Sequence, residues 1–215
     1  MKLIDGIKLI GSPAEIPDCS RDDLPELFRD LGFKRGVEIG VYKGEFSEKL
    51  ASFGGDLYSI DPWRLYKDYG NSRGQERLDF QYEHTKRVLS KYPNVHIIRK
   101  TSMEALDDFE DGSLDFVYID GNHQFAYVAE DIYHWAIKVR QGGIIAGHDY
   151  AHFKSKSITG GCHAKEVVQA YVTAYRIPKF WVLGEYHAKP GEKRDQWRSW
   201  MFFKNHETPQ HRVDN

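Results

Sequence analysis

This chain alternates between two periods. Short runs of β-branched and aromatic residues are separated by longer stretches in which apolar residues recur every three to four positions. Parallel strands joined by crossover helices read this way, because a strand covered on both faces is apolar throughout while its covering helix carries one apolar stripe. Seven runs qualify as strands: residues 36–41, 57–61, 95–99, 114–120, 143–149, 180–184 and 199–204. Helices are predicted over 45–53 and 78–89, over the stripe Phe125, Val128, Ala129, Ile132, Trp135, Ala136 and Val139, and over the stripe Val167, Val168, Tyr171, Val172 and Tyr175. The first stripe places Glu130, Asp131 and Lys138 on its exposed face, and Gly142-Gly143 is expected to end that helix and start the next strand. The expected fold class is α/β with a mostly parallel sheet.

The 215 residues suffice for one domain with a substantial core. Residues 1–35 are expected to cap it, residues 63–79 to form a charged loop or lid beside the carboxyl ends of the strands, and residues 205–215 to be a polar tail. Lys+Arg 30 against Asp+Glu 32 leaves a formal net charge of -2, so no basic excess points to nucleic acid or anionic lipid. No apolar run reaches the roughly 18 residues of a membrane span, and the first residues lack a signal peptide's apolar core, so a soluble cytoplasmic protein is expected. Cys19 and Cys162 are too few for a disulfide framework and are read as reduced thiols. The group His148, His152, Cys162 and His163 fits no standard zinc spacing. Oligomeric state is left open, a homo-oligomer included.

Chemistry is expected where strands end in polar residues that a turn does not need. The first strand carries Glu38 and passes through Gly40 and Gly44 into a helix, an E-x-G-x-x-x-G pattern where a dinucleotide site would have G-x-G-x-x-G. That departure disfavours a pyrophosphate and favours a ligand with a cationic group. Asp61 ends the second strand about twenty residues beyond Gly40, where an acid takes ribose hydroxyls in nucleoside-binding α/β domains. Ser102 is placed to cap a helix after the third strand, with Met103 placed to lie against an aromatic ring. The fourth strand ends in Asp120-Gly121-Asn122-His123 and the fifth in His148-Asp149. Neighbouring strands run ~4.8 Å apart, so Asp120 and Asp149 can converge on one cation or one hydroxyl.

Together these motifs resemble the class I S-adenosylmethionine-dependent methyltransferases over residues 36–203. The pair I-D-G-x-H and G-G-x-x-x-x-H-D-Y is similar to the small-molecule O-methyltransferases grouped with macrocin O-methyltransferase and the cephalosporin hydroxylase-type proteins. The resemblance implies a Rossmann-like seven-stranded sheet with the last strand antiparallel, and S-adenosylmethionine over strands one to four. It implies that Gly40, Tyr42 and Gly44 lie against the methionine part, Asp61 on the ribose and Ser102 with Met103 beside the adenine. Glu38 would face the amino end, Trp63 would stack on a ligand, and Asp120, Gly121 and His123 would border the cofactor. Relatives bind Mg²⁺ through the acid at Asp120 and an acidic pair after strand five. Here that pair is His148-Asp149, which weakens the case for a hard cation and opens it to another divalent metal. His123 and His148 are the candidate bases. The implied acceptor is a small hydroxylated molecule such as a sugar or glycoside. The rivals are a nicotinamide-dependent oxidoreductase and a protein that keeps the fold without turnover.

Overall fold

Strand β5 (Leu114–Ile119) shows why the chain builds a sheet with two dry faces. Its side chains alternate: Val117 and Ile119 join one apolar cluster with Ile132, Trp135 and Val168, while Phe116 and Tyr118 join another with Leu24, Phe28 and Leu50. All are 5% exposed or less. A strand with no polar face must be covered twice.

The computed structural model describes residues 1–66, 74–151, 161–185 and 197–207. The elements in chain order are α1 (Leu3–Gly6), β1 (Ala14–Ile16), α2 (Leu24–Asp30), β2 (Arg35–Ile39), α3 (Glu45–Leu50), β3 (Asp56–Ile60), α4 (Gln75–Leu89), β4 (Val95–Ile98), then β5. After β5 come α5 (Phe125–Lys138), β6 (Val139–Gly147), α6 (Ala164–Ala174), β7 (Trp181–Leu183) and β8 (Ser199–Phe203). They form one sheet in the order β1-β7-β8-β6-β5-β2-β3-β4. Only β8 runs against its neighbours, β6 and β7.

The seven expected strands and the antiparallel last strand are all present. An eighth is added at the edge, where Ala14 to Ile16 pair in parallel with Trp181 to Leu183. Three residues are too short a run to stand out by pattern. Other expectations shift. Helix α5 ends at Lys138 and β6 starts at Val139, so Gly142 and Gly143 lie within β6. There the register with β5 jumps from Leu114↔Val139 to Phe116↔Ile144, and Gly142 takes φ 73 in the bulge. Asp131 is not on an exposed face but only 4% exposed. Helix α4 begins at Gln75, inside the span read as a lid, whose residues 67–73 lie outside the described ones, as do 208–215 of the tail. No described helix is long and apolar enough to cross a membrane.

Candidate active site

The strand order sets β2 beside β5 and β3, and the site is built where these three end together. Asp120 N–H donates to the Ile39 carbonyl at 2.7 Å, which ties the end of β5 to that of β2. Gly40 passes so close that a Cβ there would stand 2.1 Å from the Asp120 carbonyl oxygen, and its φ of 87 also demands glycine. Asp61 then clasps the turn. One carboxylate oxygen accepts from Val41 and Tyr42 N–H, both at 3.0 Å, and the other from Trp63 N–H at 2.8 Å. Burial raises the Asp61 carboxyl above its ordinary pKa, against these three hydrogen bonds. The buried Trp63 indole donates to the Tyr42 carbonyl at 2.9 Å. The described non-glycine residues with left-handed backbone are Tyr42, Trp63, Asp149 and Arg176, and the first three flank this site. Strain of that kind gathers where geometry is dictated by function.

Above the strand ends lies a cavity of about 390 Å³. Gly40, Tyr42, Asp61, Trp63, Ser102, Asp120, Gly121 and His123, all expected at a site, line it, joined by Tyr66, Gln81, Asn122, Tyr127 and Asp131. Five expected residues, His148 and Asp149 among them, are not on its wall. Glu38 is buried beneath it and accepts hydrogen bonds from Ser47 and, at 3.0 Å, from Ser59; burial pushes its pKa up to about 7. Gly44 opens α3 with φ 81. Met103 packs on the apolar cluster under α5. Ser102 is not a helix cap: no α-helix lies between β4 and β5, and it is Thr101 and Glu104 that exchange the capping bonds. The Ser102 hydroxyl donates to Asp131 instead.

At the β5–β6 end of the cavity, ionisable groups converge. His123 Nε2 lies 3.0 Å from Asp149 Oδ2, and His148 Nδ1 lies 3.4 Å from Asp149 Oδ1 and 3.8 Å from Asp120 Oδ1. Burial alone would raise the Asp149 pKa, but the bonds from the two imidazoles hold it well below the ordinary range. Burial opposes charge on both histidines, yet Asp149 raises both pKa values above the ordinary imidazole. Asp120, partly buried beside another carboxylate, is pushed up to about 6. Its Oδ2 accepts from Arg21 Nη1 at 3.0 Å, and the Arg21 guanidinium lies 4.7 Å from the Phe46 ring centre. Sequence reasoning missed Arg21, which stands 99 positions away from its partner.

Among the described residues, the compact set of donors suited to a metal ion is Asp120, His123 and Asp149, whose ligand atoms lie within 4.8 Å of one another, with His148 beside them. His152 lies outside the described residues. Cys162 donates to the Asp149 and Ala151 carbonyls, and burial pushes its thiol up to about 11.

The glycine turn, the acid clasping it and the acids at two further strand ends all fall within residues 37–150. The family model described as a methyltransferase domain matches residues 37–150, more than half of the chain. The chain belongs to this family. The methyltransferase domain shares its fold with the O-methyltransferase from Bacillus cereus in complex with SAH (14% identity, TM-score 0.57, covering 86% of this chain and 80% of that one). It also shares it with the N-methyltransferase NodS from Bradyrhizobium japonicum (14% identity, TM-score 0.56, covering 87% and 95%). Both likenesses concern the fold alone. An uncharacterized protein, y4gI, from Sinorhizobium fredii is 30% identical over 124 residues, 54% of this chain. This chain spans 13% of that relative's length.

Proposed function

We propose that the domain transfers a methyl group from S-adenosylmethionine to a hydroxyl of a small molecule, with a sugar or glycoside as the acceptor class. The observation that carries this reading is the His123–Asp149 pair, at 3.0 Å, with His123 on the wall of a cavity whose floor is the glycine turn of β2 and the Asp61 clasp. The acceptor oxygen attacks the sulfonium methyl in line, the C–S bond breaks, S-adenosylhomocysteine leaves, and the hydroxyl proton needs an acceptor. With Nε2 engaged by Asp149, His123 Nδ1 is the atom that takes it. Asp149 fixes the ring and stabilises the imidazolium that forms. Asp120, beside the pair, orients the acceptor hydroxyl. Holding the two reactants in line supplies much of the acceleration, of order 7–11 kcal/mol in favourable systems.

Asp120, His123 and Asp149 also suit a divalent cation, two oxygens and one nitrogen within reach of one ion. Bound there with His123 as a ligand, the ion would acidify and orient the acceptor hydroxyl in place of His123 acting as the base. It would take the place that Arg21 and the His123–Asp149 hydrogen bond hold on these carboxylates.

Calorimetric titration tests the cofactor. S-adenosylmethionine and S-adenosylhomocysteine are expected to bind and NAD to fail. Absence of S-adenosylmethionine binding, or retention of NAD, would overturn the proposal.

A further inference from the structure

Asp131 is a charged residue in an unusual position. It sits on α5 with 4% exposure, it lines the cavity, and among the described residues its one hydrogen bond comes from the Ser102 hydroxyl. No described cation pairs with it. A buried carboxyl held by a single hydroxyl is costly unless another donor completes it. Its second oxygen lies beside Gly121, 3.7 Å from where a Cβ of that residue would be, so the group faces the space between the ends of β5 and β4. A donor within the cavity would complete it.

We propose that Asp131, positioned by Ser102, accepts a hydrogen bond from the 6-amino group of the cofactor's adenine and selects a 6-aminopurine there. The inference rests on the proposed S-adenosylmethionine reading and adds to it the residue that reads the base. The sheet order carries the placement. The cavity floor runs along β5, β2, β3 and β4, and three strand spacings of ~4.8 Å span about 14 Å. With the reacting sulfonium beside Asp120 and His123 on β5 and the ribose near Asp61 on β3, the base falls at Ser102 beyond β4. There Asp131 leans over it from α5. Of adenine's polar edge atoms only the amino group donates, and both the neutral and the ionised carboxyl offer it an acceptor oxygen. Ser102 keeps the other oxygen occupied, which fixes the rotamer.

The test compares S-adenosylhomocysteine with its 6-deamino purine analogue, identical except that hydrogen replaces the amino group, by calorimetry on the full chain. The wild type is expected to bind the analogue at least tenfold more weakly. Asp131→Leu, which keeps the branching at Cγ but has no acceptor, is expected to bind the two ligands alike, while Asp131→Asn, which keeps a carbonyl oxygen, retains part of the preference. Wild-type protein that binds both ligands equally overturns the inference whatever the variants do, and so does Asp131→Leu that keeps the tenfold preference. In both cases the bound S-adenosylhomocysteine leaves the methyltransferase reading standing. Wild-type protein that binds neither ligand removes both.

Discussion

Glu38 offers a test in which the structure sets both sign and size. It is 1% exposed, within β2, with the hydroxyls of Ser47 and Ser59 as its side-chain hydrogen-bond partners among the described residues, and burial pushes its pKa from 4.5 up to about 7. The unfolded chain releases this proton near pH 4.5 and the folded chain only near 7. A carboxyl raised on folding favours the folded form fully below the unfolded pKa, and that advantage is lost as pH rises through the folded pKa. At ~1.36 kcal/mol per pH unit, the 2.5 units between 4.5 and about 7 amount to about 3 kcal/mol. Glu38→Gln keeps the shape and an acceptor oxygen but cannot ionise. The variant should therefore gain on the wild type by about 3 kcal/mol between pH 4.5 and pH 8, measured by urea unfolding at a series of pH values. Because Glu38 lies under the cavity and not in its wall, affinity for S-adenosylhomocysteine should change less than threefold. A stability difference that stays constant across this range would refute the buried-proton reasoning, and a tenfold loss of affinity would refute the structural role.

The remaining expectations concern the site. His123→Ala should lower methyl transfer by ~10²–10⁴ in single-turnover assays, the range for losing a general base, and S-adenosylhomocysteine affinity measured alongside should stay within about fivefold; a parallel collapse of both would place His123 in binding only. EDTA should lower the rate and Mg²⁺ or Mn²⁺ restore it, and full activity in chelator with no bound metal would remove the cation from the proposal. Arg21→Met takes a like charge away from that cation's place, so Mn²⁺ affinity read by electron paramagnetic resonance should tighten about tenfold or more; unchanged affinity would mean that Arg21 and the ion do not compete. Gly40→Ala forces a Cβ to 2.1 Å from the Asp120 carbonyl oxygen at φ 87, and should cost more than about 3 kcal/mol, a fall of about 6–12 °C in Tm by calorimetry. A variant with wild-type Tm would show that β2 and β5 do not need this approach.

The strands were legible because being covered on both faces leaves a continuous apolar run, and the motif residues were legible because each stands at a strand's carboxyl end. What escaped was set by distance or by phase. Arg21 meets Asp120 from 99 positions away, and no local pattern reports such a pair. Asp131 was assigned to the wet side of α5 on its charge, although it continues the stripe Val128, Ile132 and Trp135 at helical spacing. The buried set Val128, Asp131, Ile132, Trp135 and Ala136 confirms that phase. A carboxylate on an apolar stripe was the available signal. Met103, a flexible apolar side chain that suits a core as well as a ligand, packs partly buried against the apolar cluster. The bulge in β6 was hidden because a glycine pair marks equally the end of a helix and a break in a ladder.

The edge pairing of β1 with β7 has a consequence for the chain as it is being made. Ala14 finds its neighbour only when Trp181 arrives, and at ~5–20 residues per second that wait is roughly 10–30 s on the ribosome. Arg21, a few residues beyond β1, bonds to Asp120 from the same segment. Residues 14–21 thus settle only after segments far downstream have been made, and a nascent chain halted short of β7 would carry the cofactor floor and the acids without the edge that seats β1 near the guanidinium's partner.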